Sequence, residues 1–161
     1  MQARSVELTA FLKSLQAAIE ERAQSDSDAL QVAQKIMQAL ELEQPTALPK
    51  PAWLPVCAFL EAAVENAVAS AIVENSEENS EQSDRSSSNL IDHAQALHAL
   101  SPQLAWWHRT ADVEPGSSFA TGHANATIIG KGGLEERDDV WVGISLIAPG
   151  IEYPQHHHPP E

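Results

Sequence analysis

The chain has 161 residues, with 9 Lys and Arg against 23 Asp and Glu, so its formal net charge is −14. This length suits one domain, or one and a fraction. A chain with this negative charge would repel the phosphate backbone of a nucleic acid rather than neutralise it. The single cysteine, Cys57, excludes an internal disulfide and favours a reducing compartment. No segment has the roughly 18 apolar residues that a membrane span needs. We therefore expect a cytoplasmic protein that binds neither nucleic acid nor membrane.

The first 115 residues contain no glycine, and apolar residues recur there at helical spacing. Four helices are predicted. The first has its apolar face between Leu8 and Ile19, and the second spans 28–42 behind the capping residues Ser25, Asp26, Ser27 and Asp28. The third spans 56–73, with Cys57 packed as a small hydrophobe, and the fourth spans 90–100. Four prolines between positions 45 and 55 predict a rigid connector, because proline cannot occupy a helix interior.

An acidic segment, ENSEENSEQSDRSSS at 74–88, separates the third and fourth helices. Its composition predicts a solvated, flexible loop, because it offers no apolar side chain to offset the entropy of ordering. A cation-binding acidic patch is the alternative. His93 and His98, five residues apart, do not share a helix face and are expected to be surface histidines.

The composition changes after residue 115, where all seven glycines of the chain lie. Leu104, Trp106 and Trp107 predict a packing seam between the helical part and the C-terminal part of the chain, with ligand stacking as the alternative. Short strands are predicted at 126–129 and 140–148. The second alternates in polarity and suits an antiparallel sheet or a barrel wall. Its apolar face comprises Val140, Val142, Ile144, Leu146 and Ala148.

Three consecutive histidines stand near the end of the chain, in YPQHHHPPE. On an extended strand His156 and His158 share a face, because side-chain direction alternates. Imidazole is a common ligand of divalent transition metals, so this pair is half of a metal site. Glu161 or Glu152 could add an oxygen ligand, and Tyr153 is a candidate acid/base group. The stump of an affinity tag, a solvated tail and a fortuitous surface cluster are the competing interpretations.

The segment GISLIAPGIEYPQHHHPPE, residues 143–161, resembles the first conserved motif of the cupin superfamily. Together with the preceding FATGHANATIIGKGG, it resembles more narrowly the cupin-type dimethylsulfoniopropionate (DMSP) lyases. The resemblance covers about residues 104–161. It implies an α+β fold, with a bundle of about four helices over 1–103 and the first antiparallel strands of a cupin (jelly-roll) barrel over 104–161. The barrel would be incomplete, so we expect a fragment cut inside its first metal motif.

The resemblance also implies a chemistry. His156 and His158 would bind a divalent transition metal, Fe, Zn, Mn or Ni. Glu161 is a weaker ligand, because the family's glutamate falls one position later. Tyr153 matches a tyrosine beside the substrate and is the catalytic candidate. The expected reaction is β-elimination of a small zwitterion, DMSP, to dimethyl sulfide and acrylate.

We expect that activity of an intact protein rather than of these 161 residues, and keep a homodimer as an option for its assembly. Two other functions stay open. One is a non-catalytic, metal-binding cupin sensor or regulatory protein. The other is a helical interaction domain whose histidines have no role.

Overall fold

The computed structural model describes residues 3–23, 27–44, 46, 49–77, 81–109, 114 and 116–153. Helices come first and antiparallel strands last, which confirms the predicted α+β class. Within the described residues, no helix is both long and apolar enough to span a bilayer. The helices are α1 Val6–Arg22, α2 Asp28–Leu40, α3 Leu60–Glu77, α4 Glu81–Leu100 and α5 Ser118–Gly122, with 3-10 turns at Pro55–Phe59 and Ser101–Gln103; the strands are β1 Trp106–Trp107, β2 His123–Ile129 and β3 Val142–Ile147.

Side-chain caps fix where the first two helices begin. The Ser5 hydroxyl accepts a hydrogen bond from the Leu8 amide at 3.1 Å, and the Ser27 hydroxyl accepts one from the Leu30 amide at 3.2 Å. Each cap satisfies an amide that has no partner inside the first turn. The predicted cap of α2 is therefore confirmed, and α2 ends two residues earlier than predicted.

The described part of the 74–88 segment is entirely helical, which differs from the predicted flexible loop. Helix α3 continues to Glu77 and α4 already begins at Glu81, while residues 78–80 lie outside the described residues. Composition misled the prediction, because Glu, Gln and Arg are good helix formers. Here they extend two helices whose apolar parts are already anchored, and extension needs no new helix nucleus.

Helix α4 lies between α1 and α3. His93 of α4 is half-buried in this packing: its ring centroid lies 5.0 Å from that of Phe11, and its Nδ1 lies 3.1 Å from the Ser14 hydroxyl. The prediction that His93 is a surface histidine is therefore wrong, because it faces α1. His98, one and a half turns further on, is exposed as predicted.

The three described strands form an open antiparallel sheet in the order β1-β2-β3. Ala126 of β2 pairs with Trp106 on one side and with Ile144 on the other. The face of the sheet that carries these residues packs against the helices, as alternation predicted for 140–148. The core that helices and sheet share contains Leu8, Phe11, Leu12, Leu40, Val56, Cys57, Leu60, Leu100, Leu104, Trp106, Ala124, Ala126, Ile128, Ile129, Leu134 and Leu146.

Two predicted packing roles are confirmed in this core. Cys57 is 1% exposed, and burial raises the pKa of its thiol, so it packs as a small hydrophobe. Leu104 and Trp106 are buried at the seam between helices and sheet. Trp107 is 46% exposed, so the prediction that it also packs in the seam is wrong, because neighbouring side chains on a strand point to opposite faces. The connector docks on that seam through its backbone, because Ala52 donates to the Leu104 carbonyl at 3.2 Å and accepts from the Trp106 amide at 3.0 Å. A domain boundary at residue 103 stays a prediction.

A buried ion cluster joins three distant segments. Glu135, in the loop between β2 and β3, is fully buried and accepts hydrogen bonds from Arg4 at 2.5 and 2.9 Å and from Arg137 at 3.1 Å. Burial opposes ionisation of Glu135, but the two arginines hold its pKa below the ordinary value. Arg137 also donates to the carbonyls of Ala39 and Leu42 at the end of α2, at 3.0 and 2.8 Å.

We expect Glu135→Gln to lower the free energy of unfolding by about 3–5 kcal/mol, because it leaves two largely buried guanidinium groups without their shared carboxylate. Urea denaturation measures the loss. Asp139→Asn is the matched control: Asp139 also pairs with Arg137, at 2.7 Å, but its side chain is 52% exposed. The control should lose much less stability, because solvent screens the ion pair of an exposed carboxylate. Equal losses in the two variants would contradict a structural role for burial at Glu135.

Candidate active site

Three rings meet at one end of the sheet. Phe119 is presented by α5, His123 opens β2, and Tyr153 follows β3. The His123 ring stacks on Phe119 with centroids 4.4 Å apart, and Tyr153 meets both rings edge-on, at 5.2 Å from Phe119 and 5.6 Å from His123. We call these three residues the aromatic cluster. Stacked and edge-on contacts are the favoured geometries of such rings, so the cluster fixes the orientation of Tyr153.

His123 is the polar member of the cluster and is 1% exposed. Its Nε2 has no hydrogen-bond partner among the described residues. Burial, followed by the positive charge of Arg109, lowers the pKa of His123; a hydrogen bond with the Asn125 side chain acts in the opposite direction. The imidazole is therefore neutral near pH 7 and offers an unused polar atom beside Tyr153.

Hydrogen bonds on both sides of β2 hold His123 in place. The Nδ1 of His108 lies 3.0 Å from the carbonyl oxygen of His123, and since that oxygen can only accept, Nδ1 of His108 carries the hydrogen. Asn125 lies two residues along β2 on the same face and accepts a hydrogen bond from the Ser145 hydroxyl at 2.7 Å. The backbone and the face around His123 are thus fixed from both sides of β2.

Short α5 brings Phe119 to this place. The Ser117 hydroxyl caps it by accepting from the Ala120 amide at 3.2 Å. The helix ends at Gly122, next to the Ile151 side chain. A Cβ atom on residue 122 would lie only 2.6 Å from Cγ1 of Ile151. The segment before Tyr153 can therefore pack against the start of β2 because residue 122 has no side chain.

Comparison with known proteins identifies the family. A family model described as dimethylsulfoniopropionate (DMSP) lyase matches residues 28–161. The chain belongs to the DMSP lyase family. No curated protein and no solved structure gives a significant match to it. The match covers most of the helical part, the sheet and the whole aromatic cluster, whereas the resemblance seen in the sequence covered only 104–161.

The structure places one of the predicted site residues of this DMSP lyase family member. Tyr153 is half-buried in the aromatic cluster. His156, His158 and Glu161 lie outside the described residues, so their role as metal ligands stays a prediction. Glu152, the alternative oxygen ligand, is exposed. Among the described residues, no group of three His, Cys, Asp or Glu side chains is placed to hold a metal ion.

Sequence reasoning gave no role to His123 and did not single out Phe119. Alternation along HANATII at 123–129 could have placed His123, Asn125 and Thr127 on the polar face of a strand. The predicted strand began only at residue 126, so this signal was missed. The contact with Phe119 could not be foreseen, because a five-residue helix carries too short a pattern to recognise.

The lowered pKa values of His93 and His123 lead us to expect that the folded protein loses stability in mild acid. Burial lowers the pKa of both His93 and His123, so the unfolded chain binds more protons than the folded chain once the pH drops below about 6.5. We expect the free energy of unfolding to decrease between about pH 7 and about pH 5.5, measured by urea denaturation. His123→Phe should reduce that decrease, and His98→Ala, at an exposed site, should leave it unchanged. A decrease of wild-type size in His123→Phe would contradict the neutral assignment.

Proposed function

We propose that this protein is a metal-dependent lyase that cleaves DMSP by β-elimination to dimethyl sulfide and acrylate. The observation that carries the proposal is the family match over residues 28–161, which includes the aromatic cluster and the His156–His158 pair. The substrate is a zwitterion, with a carboxylate at one end and a dimethylsulfonium group at the other. The carboxylate and the sulfonium group need binding partners of different chemistry. This chain offers histidines that could hold a metal for the carboxylate, and aromatic rings for the sulfonium group.

His156 and His158 would hold the metal, with Glu161 as a weaker ligand. Imidazole nitrogen with a carboxylate oxygen suits Fe, Zn, Mn or Ni, so the donor types fit a divalent transition metal. When bound, the metal supplies a Lewis acid that polarises the substrate carboxylate and makes the neighbouring C–H more acidic. The spacing of two histidines around one residue supports this part of the proposal.

Tyr153 is the residue we propose for proton transfer. As the general base, its side-chain oxygen takes the proton from the carbon next to the carboxylate. The C–H electron pair then forms the double bond of acrylate, and the C–S bond breaks with its electron pair leaving on sulfur as dimethyl sulfide. Tyr153 is the only tyrosine of the chain, so no other phenol within these 161 residues competes for this role.

The aromatic cluster prepares Tyr153 for this step. Ring contacts with Phe119 and His123 hold the phenol in one orientation, which lowers the entropy that a productive encounter would cost. The buried rings also exclude water from one side of the phenol. His123 stays neutral, so it can bind a hydrogen-bond donor through Nε2 without adding a cation beside the substrate.

Headspace gas analysis tests the reaction. The full-length protein, supplied with metal and DMSP, should release dimethyl sulfide. Tyr153→Phe keeps the ring contacts but should lower the rate by roughly 10²- to 10⁴-fold, the usual contribution of a general base. His98→Ala, a change at an exposed histidine, is the control and should retain activity. Release of no more gas than from His158→Ala would refute the proposal.

Metal analysis tests the ligands independently of turnover. After incubation with each of the four metals and removal of excess, His156→Ala and His158→Ala should retain less metal than the wild type, by roughly tenfold or more in affinity. His98→Ala should match the wild type. Equal retention in the wild type and in His158→Ala would exclude that histidine as a ligand, whatever the activity.

A further inference from the structure

The sheet has a second face, turned away from the helices. We call it the outer face. The register places Trp107, Asn125 and Ser145 side by side on it, because Asn125 pairs with both of the others. His123 and Thr127 belong to the same face, two residues along β2 in either direction. The outer face therefore continues without interruption into the aromatic cluster.

Two large indoles are exposed on this face. The side chains of Trp106 and Trp107, neighbours on β1, point to opposite faces of the sheet. Trp106 is buried in the core, and Trp107 is 46% exposed. Trp141, just before β3, is 65% exposed. Its ring lies over the two glycines Gly143 and Gly130, so close that a Cβ at either position would clash with it. The outer face thus presents aromatic surface that the backbone is shaped to accommodate.

Trp107 lies at a useful distance from the aromatic cluster. Asn125, which pairs with Trp107, is two residues from His123, a step of about 7 Å along the strand. The hydrogen-bonded pair Asn125 and Ser145 occupies the strip beside Trp107. A small ligand with one end at the cluster would reach the indole with its other end. The arrangement fits an elongated molecule with a polar and an apolar or cationic end.

We propose that Trp107 seats the sulfonium pole of the substrate on the outer face, while the carboxylate pole lies toward the aromatic cluster. This inference rests on the proposed function, because DMSP supplies the sulfonium group. A trialkyl sulfonium has no N–H, O–H or S–H to donate, so hydrogen-bond acceptors recognise it poorly. An indole face attracts a cation through its quadrupole and also offers a flat apolar contact.

Comparing two ligands of the same shape separates the effect of the sulfonium charge on binding from the effect of shape. DMSP and 4-methylpentanoate have the same shape and carboxylate, but the second has a neutral CH in place of the positive sulfur. Calorimetric titration of the inactive Tyr153→Phe protein gives the affinity of each without turnover. The protein should prefer DMSP over 4-methylpentanoate, and Trp107→Leu should reduce this preference by roughly 2- to 30-fold. Trp107→Phe should keep most of it, since a benzene ring also attracts cations.

Two matched variants locate the effect. Trp53 is another exposed tryptophan, 55% exposed on the proline-rich connector, and Trp53→Leu should leave the preference unchanged. Trp141→Leu should have less effect than Trp107→Leu, because Trp141 lies one step further from the cluster. Circular dichroism shows whether each variant is folded. A preference that survives in Trp107→Leu, falls equally in Trp53→Leu, or falls mainly in Trp141→Leu would overturn the assignment, as would the absence of binding of both ligands.

The two proposals fail separately. If the wild type releases no dimethyl sulfide but the sulfonium preference depends on Trp107, the lyase reaction is wrong and the cation site stands. If gas is released and the preference does not depend on Trp107, the cation site is wrong and the lyase reaction stands.

Discussion

The fully buried carboxylate of Glu135 is the constraint on which the arrangement of helices and sheet depends. An unpaired charge at that depth would be strongly unfavourable, so the chain must bring both Arg4 and Arg137 to it. Arg4 lies just before Ser5, the cap of α1, and Arg137 is bound to the end of α2. The loop between β2 and β3 is therefore tied to both of the first two helices. Once that loop is fixed, the face of the sheet that meets the helices is fixed as well.

The two faces of the sheet have different roles. Ala124, Ala126 and Ile128 of β2 close the core against the helices, and their small or branched side chains allow close packing. The alternate positions carry groups that can bind or react, with His123 at the end nearest Tyr153. Because side-chain direction alternates along a strand, stability and ligand contact can be served by the same seven residues of β2.

Periodic features were accessible from the sequence. The apolar face of α1, the cap of α2 and the alternation of β3 depend on local spacing, and local spacing is what a sequence displays. The DMSP lyase resemblance was found because YPQHHHPPE is a compact local motif. Tyr153 was singled out from the same motif, and the structure adds the ring contacts that orient it.

Features that depend on distant contacts were not accessible. The local sequence does not mark Glu135 as buried, because its partner Arg4 stands 131 positions earlier. His93 was placed on the surface because its partner, Phe11, lies on another helix. The 74–88 segment was judged by its composition alone, although helices extend through polar sequence when their other ends are anchored. His123 combines both difficulties, since its burial depends on α5 and on the chain after β3.

The chemistry of the leaving group explains why an aromatic ring suits the sulfonium pole better than a carboxylate. During β-elimination the positive charge on sulfur disappears, and the product is neutral dimethyl sulfide. A carboxylate would bind the substrate cation more tightly than the transition state, and that difference would raise the barrier. An indole face attracts the cation less strongly and still offers dispersion contact to the neutral sulfide. The attraction that is lost as the C–S bond breaks is therefore smaller. An acidic chain therefore gains from placing tryptophan, rather than one of its many carboxylates, on the face of the sheet where we propose that the sulfonium pole binds.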